Sequence, residues 1–240
     1  MKECAIVTGG VKGIGRRVSE MLAGMGILVF ATYRSDVLAA EAVRSQSDNQ
    51  ILTHRVDGSD INSVQEFRSI VVQHGTPTIL INNAGLALDG LLVDNGRQRI
   101  FELMNNNFMG TVNYSLTFIE DMLMRRQGNI VNISSSAAQK VKPGNSAYGC
   151  SKVAIERFSK GLAKEVGRFD VLVNCVAPGF VETEMFEAFA AGSKKDILRE
   201  IPTRRILSTD HVAQLVVDIA MRRTNTTGSV FCVGNGEQII

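Results

Sequence analysis

Tyr148 and Lys152 stand four residues apart in Tyr148-Gly149-Cys150-Ser151-Lys152, and Ser135 lies thirteen residues before the tyrosine. On a helix, four residues is just over one turn, so both side chains would project from one face toward a common point. A tyrosine hydroxyl, with an ordinary pKa of about 10, is a poor acid or base near neutrality. An ammonium one turn away favours the phenolate and lets the phenol exchange its proton at lower pH. A serine hydroxyl aimed at the same substrate oxygen would complete a carbonyl-handling group. Tyr and Lys at this spacing also occur by chance on solvated helices, so the pair gains meaning only from the elements that position it.

Those elements alternate. Short apolar runs at 4–8, 27–32, 51–56, 78–82, 129–133, 171–176 and 229–233 read as strands, most of them apolar without interruption. That is how strands buried on both faces of a parallel sheet read. Helical stretches fall near 13–25, 36–46, 60–74, 97–126, 147–167 and 209–222, with Ser59-Asp60 and Thr209-Asp210 as candidate N-caps. Alternating βα units with right-handed crossovers predict an α/β fold, a single doubly wound Rossmann sheet of about seven strands with helices on both faces. One domain spanning 1–240 accommodates it. Ligands of such sheets bind beyond the carboxyl ends of the strands, and each candidate site segment follows a strand.

The remaining bulk properties exclude more than they identify. Formal charge is only +2, and no basic block exists to release counterions, which argues against a nucleic-acid partner. Four scattered cysteines without a CxxC pair, and three scattered histidines, predict no metal site. Cys4, Cys175 and Cys232 sit in apolar runs and are expected to be buried thiols. No run approaches the ~20 apolar residues of a membrane span, and the chain opens directly on a strand pattern, so a cytoplasmic, non-membrane protein is expected.

Thr8-Gly9-Gly10-Val11-Lys12-Gly13-Ile14-Gly15 leads from the first strand into the first helix. Gly9 would allow the tight turn, Gly13 the close approach of backbone to a pyrophosphate, and Gly15 close helix–strand contact, with phosphate at the helix N-terminus. NAD sites usually place an acid at the tip of the second strand, but this one ends Phe30-Ala31-Thr32-Tyr33-Arg34. Arg34, helped by Lys12 and Arg16, would suit the 2′-phosphate of NADPH better than NADH, although Asp36 is close. Asp57, after the third strand, would accept from an adenine amino group or simply cap its turn.

With these residues in view the chain resembles the short-chain dehydrogenase/reductase family over essentially its whole length. The resemblance rests on Thr8-Gly9-x-x-x-Gly13-x-Gly15, Asn82-Asn83-Ala84-Gly85, Ser135 followed by Tyr148-x-x-x-Lys152, and Pro178-Gly179 with Thr183. It implies an active tetrad of Asn107, Ser135, Tyr148 and Lys152, with Asn106 the alternative to Asn107. In that tetrad Tyr148 protonates a developing alkoxide beside Ser135. Lys152 lowers the tyrosine pKa and holds the nicotinamide ribose, and Asn107 supports a proton-relaying water. It further implies that Asn83, Ala84 and Gly85 border the cofactor, and that Pro178, Gly179, Val181 and Thr183 meet its nicotinamide end.

Within the family the chain looks most like the 3-oxoacyl-acyl-carrier-protein reductases, through Asn82 to Leu92, Ala177 to Met185 and Ile201-Pro202-x-Arg204-Arg205. That likeness implies an acyl carrier protein partner, docking near Arg125, Arg126 and Arg168 at helix ends beside the entrance, and a homotetramer. Arg125 and Arg126 would equally serve as helix C-terminal charge. Val233-Gly234-Asn235-Gly236 and Asp94 to Arg99 depart from the subfamily pattern and suggest a divergent paralogue, for example of a polyketide or other specialised pathway. Residues 184–206, with Phe186, Phe189, Ala190 and Ala191, would form a substrate lid flexing at Gly192. An alcohol, sugar or steroid dehydrogenase is the alternative enzyme. A nucleotide-sensing scaffold is the non-enzymatic one, though such proteins typically lose the tyrosine or lysine that this chain keeps.

Overall fold

The computed structural model describes residues 2–236 except Ala191, so that lid residue and the last four residues lie outside the description. Seven strands form one parallel sheet in the order β3-β2-β1-β4-β5-β6-β7. They are β1 (Glu3–Val7), β2 (Leu28–Tyr33), β3 (Ile51–Arg55), β4 (Thr76–Asn82), β5 (Gly128–Ile133), β6 (Val171–Pro178) and β7 (Val230–Val233). The strand order reverses between β1 and β4, which places a crevice at their carboxyl ends. All seven fall where apolar runs predicted them, because strands covered on both faces must be apolar throughout, as in the fully buried β4.

Helices α1 (Gly13–Gly24), α2 (Val37–Ser45) and α9 (Thr209–Ala220) lie on one face, where Val18 and Leu22 pack with Val216 and Val217. The other face carries α3 (Ile61–His74), α5 (Gly110–Arg125) and α6 (Ser146–Val166), whose Phe67, Phe118, Met122 and Leu162 share a second core with Phe30 and Leu80. Each fully buried side chain of this size stabilises the fold by about 1.5–3 kcal/mol.

Three expectations shift. The predicted helix over 97–126 is divided into α4 (Gly96–Leu103), a π-helical turn (Met104–Met109) and α5. The last helix is capped by Ser208, whose hydroxyl accepts from the His211 N–H, rather than by Thr209-Asp210. Asp210 instead lies in the first turn, where its carboxylate favours the helix N-terminus and pairs with Arg17 at 2.7 Å. Cys232 is exposed, because β7 is an edge strand, whereas Cys4 and Cys175 are buried. Among the described residues, no helix is long and apolar enough to cross a membrane.

A buried polar chain joins the sheet to the helices of this second face under the site. Asn82 Nδ2 donates to Ser115 Oγ (2.9 Å) and to Asn132 Oδ1 (2.8 Å), and Asn132 Nδ2 donates to Ser159 Oγ (2.8 Å). It ties α5, β4, β5 and α6 together at fixed register, since each buried amide left unpaired would cost about 1–3 kcal/mol.

Candidate active site

A cleft of about 640 Å³ opens at the carboxyl ends of the strands, from the glycine turn across to Phe189. Its floor at one end is the turn between β1 and α1. Gly9 (φ +61°) and Gly13 (φ +49°) adopt a backbone that L side chains resist. A Cβ on Gly9 would stand 3.1 Å from Ala84 Cα, and one on Gly13 would stand 3.2 Å from Thr183 Cγ2. Gly15 allows contact of a different kind from the expected helix–strand packing. Its missing Cβ would lie 2.4 Å from both Asn83 Nδ2 and Gly9 O. The glycine packed against a strand is Gly10, 2.8 Å from Ala31 Cβ by the same construction, and the sequence reading assigned it no role.

Thr8 and Asn83 lock the turn to the end of β4. Thr8 Oγ1 accepts the N–H groups of Asn83 and Ala84, both at 2.9 Å, while Asn83 Nδ2 donates to Thr8 O at 3.0 Å. No side chain caps the N-terminus of α1, and its first turn carries no acid. Ile14 and the uncapped turn line the cleft, leaving N–H groups and the positive end of the helix for a phosphate. A left-handed glycine cradle at an uncapped helix, placed at the reversal of strand order, fits a dinucleotide.

Tyr148, Ser135, Lys152 and Asn107 come together at the middle of the site. Burial pushes the Tyr148 phenol up to about 12, opposed by a hydrogen bond with Ser135 and reinforced by the charge of Asp89. Lys152 Nζ sits 5.5 Å from the Tyr148 ring centroid and donates to the Ile133 carbonyl at 2.9 Å. Desolvation dominates both groups, and it lowers the buried Lys152 ammonium to about 8.

The adjacent serines separate cleanly. Ser134 is buried and donates to Glu156 Oε1 (2.8 Å), while Ser135 caps a short 3-10 turn and faces Tyr148. Of the three asparagines, Asn107 is fully buried, accepting from Leu86 N (2.9 Å) and donating to Leu86 O (3.0 Å) and Ser151 Oγ (3.1 Å). Asn106 instead meets Arg34 on the rim. The π turn achieves this division, for it adds a residue where the helix must turn Asn107 inward. Gly85 lies between the groups: a Cβ there would be 3.3 Å from Asn107 Oδ1 and 3.5 Å from Lys152 Nζ.

At the β2 end, Arg34 lines the cleft and donates to Asn106 Oδ1 at 2.6 Å. Lys12 is ion-paired with Asp36 and, at 2.6 Å, with Glu184. Arg16 does not contribute to the cleft lining; its guanidinium bonds Glu20 and Gln46. Asp57 lines the cleft but caps its own turn, accepting from the Ser59 N–H (3.0 Å) and hydroxyl (2.7 Å), which hold its carboxyl below the usual range.

The far end is covered by α7 (Glu184–Phe189) and α8 (Lys194–Glu200), with Gly192 at φ +80° between them. Thr183 caps α7, and Pro178, Gly179 and Val181 carry the chain from β6 along the cleft wall into it. Phe180, Phe186 and Phe189 form an aromatic wall, with centroids 5.7 and 5.9 Å apart. Lys140 and Lys142 also line the cleft, Lys142 over the Phe180 ring. Arg126 and Arg168 are not at this entrance within one chain. They follow α5 and α6 at the amino ends of β5 and β6, where Arg126 donates to Arg168 O and both guanidiniums stack on Phe169. Arg125, the last residue of α5, lies at that same end.

A family model for short chain dehydrogenases matches residues 3–194. The chain belongs to the short-chain dehydrogenase family. This dehydrogenase is 32% identical over 236 residues to the 3-oxoacyl-acyl-carrier-protein reductase FabG of Haemophilus influenzae, covering 97% of this chain and 96% of that one. It is 35% identical over 240 residues to carbonyl reductase family member 4 of Xenopus laevis, covering 99% and 98%. Among solved structures it matches ElxO with NADP bound at 29% identity and a TM-score of 0.90, covering 99% of both chains. As a family member the dehydrogenase is an NAD(P)-dependent oxidoreductase acting on CH–OH and C=O groups.

Proposed function

We propose that this dehydrogenase reduces the ketone of a 3-oxoacyl thioester carried by an acyl carrier protein, with NADPH as reductant. The observation that carries the reading is the meeting of Tyr148, Ser135 and Lys152 in a cleft whose far wall is aromatic, with Asn107 buried behind Gly85. The FabG relatives, named for that substrate, support it. Gly9, Gly13 and Ile14 would hold the phosphates of a dinucleotide, which when bound would supply the hydride. Tyr148, which burial keeps protonated, donates its proton to the carbonyl oxygen as charge builds there. Ser135 donates a hydrogen bond to the same oxygen. Lys152, with its ammonium lowered to about 8, is matched to returning a proton near neutral pH; it is held by the Ile133 carbonyl, and Asn107 flanks Gly85 beside it.

Arg34 on the cleft wall, with no acid at the tip of β2, favours a 2′-phosphate. Lys12 joins it only by leaving Asp36 and Glu184. The chain also self-associates on this reading, through an apolar groove of about 410 Å³ lined by Phe108, Leu116, Ala154 and Phe158 of the α5–α6 side, consistent with a tetramer.

Steady-state reduction of an acetoacetyl thioester, compared with cyclic ketones and sugars and run with NADPH and NADH, tests the assignment. The expected result is the highest kcat/KM on the thioester with NADPH. Preference for a simple ketone would favour the second reading, a general carbonyl reductase like the Xenopus relative. Preference for NADH would overturn the cofactor assignment.

A further inference from the structure

The mouth of the cleft carries a charge arrangement that hydride transfer does not use. Lys140 and Lys142, on the loop between β5 and α6, converge on a single carboxylate, Glu200 at the end of lid helix α8. Lys140 Nζ lies 3.7 Å from Glu200 Oε2, and Lys142 pairs with the same oxygen. Lys142 Nζ also stands 5.5 Å over the Phe180 ring, which faces the same cleft. The two lysine side chains are 32% and 29% exposed, so both ammoniums are held at the rim rather than swinging in solvent. Two cations against one anion leave a surplus positive charge facing the substrate end. Lys142 first, and Lys140 after it, hold the Glu200 carboxyl below the usual range, so that oxygen already acts as a bound anion.

A phosphate dianion carries more charge and more acceptor oxygens than a carboxylate, and would satisfy both ammoniums at once. The aromatic wall accounts for the apolar part of a substrate, Asp89 faces Tyr148, and the lysines are left to the charged part of the tail. We propose that Lys140 and Lys142 form an anion subsite that takes a phosphate on the tail of the ketone substrate, in exchange for the Glu200 carboxylate of the lid. The exchange makes these lysines determinants of substrate choice, and it releases α8 from the rim as the tail arrives. The assignment rests on the reductase reading for the identity of the ketone, but not for the binding of the tail.

The test uses the full chain and a pair of probes differing by one group, pantetheine 4′-phosphate and pantetheine, titrated calorimetrically at low and physiological salt. The wild type is expected to bind the phosphorylated form about tenfold tighter, with the advantage shrinking as salt rises. K140M/K142M should bind the two probes equally while its affinity for pantetheine stays unchanged. E200Q, which removes the competing carboxylate and keeps both lysines, should widen the preference. Equal binding of the two probes by the wild type, or a preference that survives in K140M/K142M, would overturn the subsite. Turnover of a neutral acetoacetyl thioester is read separately. Its absence would sink the reductase reading, while the binding ratio still decides the subsite.

Discussion

The floor of the cleft and its lid are held by different kinds of bond. Beneath the floor, Asn82, Asn132 and Ser159 are buried and bonded to one another, and Asn107 spends its whole amide on Leu86 and Ser151. The lid touches the rim through partly exposed ion pairs, Glu184 with Lys12 and Glu200 with Lys140 and Lys142. Buried hydrogen-bonded networks rigidify, even though Asn82 Oδ1 is left without a partner, whereas exposed pairs contribute little to stability. Geometry that must not move is therefore kept on the floor, and the contacts that must change when ligands arrive are on the rim.

Tyr148→Phe attacks the floor at its centre and should have the largest effect. Carbonyl reduction is expected to fall by about 10²–10⁴-fold, with cofactor affinity retained in a fluorescence titration. Near-normal turnover would remove the tyrosine from its role. Gly15→Ala comes next, because its methyl would press to 2.4 Å from Asn83 Nδ2 and Gly9 O. Overpacking of this kind costs about 1–3 kcal/mol, and chemical denaturation should show it together with weaker cofactor binding.

A smaller, directional effect concerns Lys152. Its folded pKa of about 8 lies below the 10.5 of an exposed lysine, so its charged form costs folding energy at pH 7. Between about pH 8 and 10.5 the unfolded chain holds the proton that the folded chain has lost. The cost then fades as pH rises. Melting temperatures of wild type should accordingly rise relative to Lys152→Met between pH 7 and 10; a constant gap would contradict the burial. Glu184→Gln, on the rim, should leave the melting curve unchanged and alter only KM for cofactor. A clear loss of stability there would mean that the lid is part of the rigid body.

The same division separates what was legible in the sequence from what was not. All seven strands could be read, since burial on both faces leaves an uninterrupted apolar run such as Val171-Leu172-Val173. Spacing to Tyr148 selects Ser135 and the family resemblance selects Asn107; in the structure Ser135 bonds Tyr148 and Asn107 is buried on Leu86 and Ser151. Their electrostatics could not be read. Spacing brings Lys152 near Tyr148, but the depth of burial, which pushes the phenol up, is a property of the assembled core. Nor does sequence show which glycine meets what, or that Arg126 follows a helix to the wrong end of the sheet for the entrance. The ion pairs of the lid join residues far apart in the chain and leave no local pattern.

The π turn at Met104–Met109 has a consequence for how this protein can change length. Relative to an α-helix it holds one extra residue, which the wide turn absorbs locally, so deleting a residue there would restore regular winding while α4 and α5 kept their faces. What such a deletion would remove is the inward displacement that buries Asn107. This stretch is therefore a place where the helix can change length by one residue without disturbing its neighbours, and only the side chain turned inward constrains it.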